Sequence, residues 1–471
     1  MANETLTPDL CVIGGDAAGA SLAAAAAVLG ARVVLIAPEM TDDARPTGAA
    51  LPVHALAAAA RRINDIRESA RFGIAAAPDT VFARVRDSAS ALLQDLALNA
   101  SDARIASLGV RVLHAAARFV DPKTVTAGNR EVRARRYVLA LGSVPRVPPI
   151  RGLERTPYLS PAEILDLREL PAHLIVIGAG ATGLAIAQAF RRLGSEVTVL
   201  DAATPLRHED PECAALVLEA LARDGVTVRR DVEIERVSGR NSSIRVTFTV
   251  GQSEETIDGT RLLIATGNRS LVEGHGLELA GIEFDAGGIR AGNNLRSSNR
   301  QVFVVGASGM PHHAARWHAQ LILGHSLFRA PIRANAAVIP RVSATDPEIA
   351  HVGLREDSAQ TLHRRIRVLR APFFENERAE IEREGKGMIK LVTTRSGRLL
   401  GATIVGTGAG DLIGTYALAL SKRMHVRELA GPVFPPLTRA EIGRQAALGG
   451  LSRGLTNTWV QRIMTVVRLF P

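Results

Sequence analysis

The sequence predicts an α/β protein with two parallel-sheet halves followed by a C-terminal α+β segment. Three observations carry this. A strand–glycine turn–helix–strand unit runs from Leu174 to Asp201, a second copy opens the chain about 164 residues earlier, and from about Ala336 the pattern changes to antiparallel-type strands with helices. In the clearer copy, the apolar run Leu174–Ile177 reads as a buried strand. It breaks at Gly178-Ala179-Gly180-Ala181-Thr182-Gly183, continues at helical period to Leu193, and returns as the strand Glu196–Leu200 ending at Asp201. This is a G-x-G-x-x-G turn in Rossmann-like context. Gly178 permits the tight turn, Gly180 lets backbone approach a pyrophosphate, and Gly183 lets helix and strand pack closely. The helix start offers amide groups and the positive end of its dipole to phosphate. Asp201 is placed to accept from a ribose 2′-hydroxyl, and its charge favours NAD(H) over NADP(H). Arg207 nearby keeps the phosphorylated form open.

The first copy departs from this pattern. Leu10–Ile13 is a strand, Gly14-Gly15-Asp16-Ala17-Ala18-Gly19 the turn, an alanine-rich helix follows to about Leu29, and Arg32–Ile36 is the second strand. Asp16 stands where the second glycine is usual. Ala37 occupies the acid's place, with Glu39 two residues on.

Composition excludes several classes. At 471 residues the chain exceeds one ordinary core and implies about three domains. The net charge of +10 rests almost wholly on arginine, since only Lys123, Lys386, Lys390 and Lys422 are lysines. The arginines are scattered without aromatic interleaving, which argues against nucleic acid. Two cysteines, Cys11 and Cys213, exclude a disulfide framework and a C-x-x-C site. The polar start MANETLTPD is unlike a signal peptide, no run of spanning length and hydropathy is found, and a cytoplasmic location is expected. His312, His313 and His318 do not share one helix face, so no metal site is expected.

Further along, a Pro/Gly-punctuated loop from Ala44 runs into a helix near Ala60, and Thr80–Leu98 reads as a surface helix. Val110–Phe119, Thr124–Ala127 and Tyr137–Leu141 read as strands. After Asp201 come a helix at Pro211–Asp224 and strands at Val226–Arg230, Ile234–Ser238, Ile244–Val250 and Arg261–Ile264. Val302–Val305 then reads as a strand and His313–Leu323 as a helix. In the last part His363–Pro372, Gly387–Thr394 and Leu399–Val405 read as strands, Gly406–Asp411 as a turn and Leu412–Met424 as a helix. The tail 451–471 has an amphipathic pattern around Trp459, Ile463 and Phe470. It reads either as a helix docked on the protein's own dimer or as one lying on a membrane surface.

This order of motifs resembles the FAD-dependent pyridine nucleotide–disulfide oxidoreductases, the dihydrolipoamide dehydrogenase and mercuric reductase group, over about residues 8–450. The resemblance rests on Gly14–Gly19, Ala140-Leu141-Gly142-Ser143, Gly178–Gly183, Ala265-Thr266-Gly267, Val304-Val305-Gly306, and Ile339-Pro340-Arg341 with Thr345–Leu354. It implies an FAD-binding domain over 1–152 and 271–335, an NAD(P)-binding domain over 153–270, and an α+β dimerisation domain over 336–450 that builds a homodimer. It also implies cofactor contacts at Gly14, Gly15, Asp16, Ala17, Gly19, Glu39, Ala140, Gly142, Gly306 and Ala307 for FAD. For the nicotinamide nucleotide it implies Gly178, Gly180, Gly183, Asp201, Ala265 and Gly267.

The family's redox residues are replaced. Where members carry C-x-x-x-x-C-x-P-S-K-A-L, this chain has Pro52-Val53-His54-Ala55-Leu56, so the cysteine positions fall at Arg45 and Ala50 and the lysine's at His54. The lysine's glutamate partner is Ala185, the C-terminal histidine is Pro436, and the ribityl-binding aspartate is Ala307, while Thr438 and Glu441 still match. His54 and Glu441 are the remaining catalytic candidates; the plainer reading of His54 is a side chain filling the lysine's space. The expected activity is electron transfer from NAD(P)H through FAD to a quinone, another small molecule or a protein partner, without a redox disulfide. The alternative is a catalytically silent nucleotide-binding sensor or scaffold.

Overall fold

The computed structural model describes residues 4–38, 48–79, 81–98, 101–240, 243–306 and 312–455, with the side chains at 98, 312 and 451–455 left aside. Arg45, Glu39, Ala307 and the tail beyond 455 lie outside the described residues. The chain divides into two compact units, Met1–Ala59 with Ala77–Leu170 and Arg261–Asn335, and Ala60–Ala76 with Pro171–Thr260 and Ala336–Pro471.

The first unit centres on a five-stranded parallel sheet in the order Val302–Val304, Arg136–Leu139, Leu10–Ile13, Val33–Ala37, Val110–His114. Both faces are covered, which is why its strands are apolar throughout instead of alternating. Val12, Leu35, Val138 and Phe303 share one core with the helices Ala17–Val28 and His312–Phe328. Ile13, Ile36, Leu139 and Val304 share another with Phe119, Val125 and Val132 of a four-stranded sheet, Glu4–Leu6, Arg130–Val132, Thr124–Ala127 and Ala117–Asp121. The expected single strand Val110–Phe119 is therefore two. Val110–His114 joins the parallel sheet and Ala117–Asp121 the second sheet, while Leu113 and Phe119 meet in the core between them. Tyr137 is fully buried there, and its Oη accepts the Ala134 N–H at 2.9 Å. It donates its own proton to the carbonyls of Lys123 at 2.5 Å or Val132 at 2.9 Å.

The second unit holds parallel strands Thr227–Arg229, Glu196–Leu200 and His173–Ile177, with helices Ala181–Leu193 and Pro211–Asp224. An antiparallel three-stranded sheet follows, Val232–Arg240, Ser243–Val250 and Ser253–Gly259. A five-stranded antiparallel sheet runs in the order Arg341–Ser343, Glu348–Gly353, Leu399–Gly406, Met388–Thr394, Ile366–Pro372. Its core includes Tyr416 and Ala446 from the helices Ala409–Ser421 and Glu441–Leu455. The first of these helices starts three residues before the expected Leu412, because Gly408 in left-handed conformation (φ 73°) opens it at Ala409.

Two polar clusters brace this unit. The buried Lys390 ammonium lies 2.8 Å from Asp210, 2.7 Å from Glu212 and 2.8 Å from Glu356. Burial alone would lower its pKa, but the hydrogen bonds it donates to these carboxylates outweigh burial and hold Lys390 above the usual lysine range. Asp210 also caps the helix Pro211–Asp224. In the second cluster, buried Arg192 reaches Asp224 at 2.9 Å and Asp346 at 2.6 Å. Gln188 exchanges two hydrogen bonds with the Asp346 backbone, at 2.7 and 2.8 Å.

His351 is buried between Thr403 Oγ1 at 2.8 Å and the Gly353 carbonyl at 3.0 Å. Burial lowers its pKa from 6.5 to about 4. The folded state thus prefers the neutral ring, and this preference stabilises it fully above about pH 6.5. The contribution, roughly 3 kcal/mol, is lost as pH falls from 6.5 through 4. His351→Gln removes the titrating ring while keeping a polar amide for Thr403 and Gly353, and is expected to flatten the stability–pH curve in that window, measured by urea unfolding; an unchanged curve excludes His351 as the source. Tyr137→Phe leaves the Ala134 N–H without its acceptor and is expected to cost about 2 kcal/mol by the same measurement.

Candidate functional site

The motif residues of the first unit collect at the carboxyl ends of its parallel strands, where open α/β sheets bind ligands. Gly14 has φ 120°, and its N–H donates to the Ile36 carbonyl at 2.9 Å. A Cβ there would lie 1.8 Å from the Ala140 carbonyl oxygen, so only glycine fits between these strands. A Cβ on Gly19 would come within 2.7 Å of the Ala140 Cβ. Gly142 and Gly306 are both left-handed and border a pocket with Leu139, Leu141, Leu271 and Val304. Ala265 and Gly267 follow the strand Arg261–Ile264; the Gly267 carbonyl accepts the Arg146 N–H at 2.8 Å, and Asn268–Ser270 pairs with Ser143–Pro145.

Asp16 is the N-cap of the helix Ala17–Val28, its Oδ1 accepting the Gly19 N–H at 2.7 Å. One amide of the helix start is thus taken by the chain's own carboxylate, and any phosphate there meets a like charge.

The second turn repeats the backbone without that charge. Gly178 has φ 114°, and its N–H donates to the Leu200 carbonyl at 2.9 Å. Gly180 is the N-cap of the helix Ala181–Leu193 and brings no side chain to satisfy its first amides. A Cβ on Gly180 would meet nothing within 4 Å, so the turn faces open space. Gly183 is buried within the helix. Asp201 does not simply point outward: Oδ2 accepts the Ala179 N–H at 2.5 Å and Oδ1 the Ala203 N–H at 2.8 Å.

Beyond it, Arg355 donates to the carbonyls of Arg207 and Glu209, and Arg341 to that of His208. Burial, then the nearby Arg207, lowers the His208 pKa. Burial raises that of Glu209 despite Arg341 and Arg355. None of these loop contacts was legible from the sequence, because arginine–carbonyl bonds leave no motif.

The catalytic candidates are less embedded. His54 is exposed on the helix Ala50–Glu68, its Nδ1 donating to the Ala50 carbonyl at 2.8 Å. Ala185 is packed in the core of the helix Ala181–Leu193 and Pro436 is exposed. Glu441 begins the helix Glu441–Leu455, its carboxylate 3.8 Å from Arg444. Thr438 is held by Asn376, which donates to its carbonyl at 3.0 Å. Among the described residues, no group of three or more His, Cys, Asp or Glu is placed to hold a metal, and no helix is long and apolar enough to cross a membrane.

Both turns fit a dinucleotide. The second offers uncapped amides facing open space. The first offers the close backbone approach and an apolar pocket at the strand ends, with Asp16 as the opposing charge.

Comparison with known proteins agrees with this geometry. Residues 8–319 match the pyridine nucleotide-disulphide oxidoreductase family and residues 339–447 its dimerisation domain. A mercuric reductase of Streptomyces lividans is 32% identical over 453 residues, covering 93% of this chain and 95% of that one. Dihydrolipoyl dehydrogenase 3 of Pseudomonas aeruginosa is 34% identical over 341 residues, covering 70% and 72%. The solved structure of the HOCl-induced flavoprotein disulfide reductase RclA from Escherichia coli shares the fold, with a TM-score of 0.81 at 21% identity over 93% of this chain and 99% of that one. Together the two family matches take in nearly the whole sequence, and the chain belongs to the pyridine nucleotide-disulphide oxidoreductase family.

Proposed function

We propose that this chain is an NAD(P)H-dependent flavoprotein oxidoreductase that delivers electrons to an acceptor other than a disulfide: a quinone, another small molecule or a protein. The state of its thiols carries the reading. Cys11 and Cys213 are the chain's two cysteines, both free and buried, one in the first unit and one in the second. Burial pushes both thiols far above their ordinary range, so neither supplies a thiolate for exchange. Arg45 and Ala50 stand at the family's cysteine positions, and Pro436 at that of its histidine.

In this reading residues 1–152 and 271–335 hold FAD, residues 153–270 hold the reduced pyridine nucleotide, and residues 336–450 pair two copies. The protein draws on the cytoplasmic nucleotide pool. Bound FAD supplies the two-electron chemistry between nicotinamide and acceptor. The chain's own part is to seat and orient. Gly14, Gly15, Asp16, Ala17, Gly19, Ala140, Gly142 and Gly306 shape the flavin nucleotide's cradle. Gly178, Gly180, Gly183, Asp201, Ala265 and Gly267 shape the other. His54 donates from Nδ1 to the Ala50 carbonyl, so its exposed ring offers Nε2 to a ligand. Glu441 keeps the place of the family's C-terminal acid.

The purified protein is expected to show a flavin absorption spectrum that NADH bleaches without oxygen. Iodoacetamide is expected to label no thiol in the native protein, before or after NADH, and both thiols after unfolding. Thiol labelling that appears with NADH refutes the disulfide-free route. Colourless protein that takes up no added FAD overturns the enzyme in favour of a sensor or scaffold. Gly180→Val has room for its Cβ and a backbone open to any residue (φ −75°), so it is expected to fold and to lose the thermal shift that NADH gives the wild type. An equal shift in both proteins moves the nucleotide elsewhere.

A further inference from the structure

Ala179, at the heart of the second glycine turn, is fully buried and held from both sides. Its N–H donates to Asp201 Oδ2 at 2.5 Å, and its carbonyl accepts the Leu206 N–H at 3.1 Å. The other carboxylate oxygen of Asp201 accepts the Ala203 N–H at 2.8 Å. The Asp201 backbone is fixed too: its N–H donates to the Arg229 carbonyl at 3.0 Å, and its carbonyl accepts from Val232 at 3.1 Å. Leu206 closes the loop from a left-handed conformation (φ 52°) with its side chain buried, a state leucine keeps only where surroundings enforce it. The segment 201–206 is thus a brace around the turn. In the first unit the same place is held by Ala37, which has no side-chain acceptor to offer.

We infer that Asp201 is a positioning residue, whose carboxylate holds the turn Gly178–Gly183 in shape and acts on the nucleotide through that turn instead of reading the ribose 2′-hydroxyl. This rests on the reading that the turn binds a pyridine nucleotide. Each carboxylate oxygen already takes one backbone N–H, in charge-assisted bonds about twice as strong as neutral ones. An amide in its place would turn a donor toward one of those N–H groups. The turn serves the pyrophosphate, which NADH and NADPH share. Loss of the brace therefore weakens both alike, whereas loss of a ribose reader shifts preference between them.

The test is calorimetric titration of NADH and of NADPH into wild type, Asp201→Asn and Asp201→Glu, well below their unfolding temperatures, with amide hydrogen exchange of the nucleotide-free wild type. Asp201→Asn is expected to weaken both nucleotides by about tenfold while their affinity ratio stays within about twofold. Asp201→Glu, one methylene too long for the short bond to Ala179, is expected to weaken both as well. The Ala179 and Ala203 amides are expected to exchange slowly before any nucleotide is added. Improved NADPH binding beside weakened NADH binding in Asp201→Asn overturns the inference. So does wild-type NADH affinity in Asp201→Glu, and so does rapid exchange of Ala179. A variant that only melts earlier, with unchanged affinities, likewise rejects it. If Asp201→Asn does not fold, Asp201→Glu and the exchange measurement decide. Wild type that binds neither nucleotide refutes the proposed function, while slow Ala179 exchange still upholds the brace.

Discussion

A carbonyl oxygen standing where a side chain would be is the constraint on which the first unit depends. The Ala140 carbonyl fills the space beside Gly14, so two parallel strands end in contact with no side chain between them. Ala140, Gly142 and Gly306 gather with the glycine turn at the carboxyl ends of these strands. Helix, turn and pocket then follow from strands buried on both faces, whose apolar side chains alternate between two cores.

The two glycine turns show how one backbone serves two electrostatic settings. Gly14 and Gly178 share nearly the same φ and the same hydrogen bond to the end of the neighbouring strand. They differ in where the carboxylate stands. Asp16 sits at its helix start and takes one of its amides from within. Asp201 sits behind its turn and leaves the helix start to a ligand. A single position in each motif decides whether a carboxylate stands at the dipole's positive end or none does.

Much of this was legible in the sequence. Leu10–Ile13, Thr124–Ala127, Glu196–Leu200 and Pro211–Asp224 fall at the bounds read from apolar period, Asp-Pro capping and glycine stops. Ser253–Gly259 escaped because SEETIDG carries almost no apolar signal; it is a mostly exposed strand stabilised by pairs such as Arg245–Asp258. The division of Val110–Phe119 escaped because both strands serve one core, and composition does not record which sheet a residue joins. At the site, the motif glycines and Asp201 were readable. The brace was not, since backbone N–H groups and a left-handed Leu206 have no residue-type signature.

The Lys390 cluster has a consequence for ionic strength. Salt weakens ion pairs that face water and weakens buried ones much less. Arg245–Asp258 and Arg32–Asp9 are exposed pairs of the first kind. The Lys390 ammonium and Asp210 are both buried, so the charge that fixes the start of the helix Pro211–Asp224 belongs to the second. A chain whose positive charge is almost all arginine keeps one of its four lysines where dissolved ions compete least.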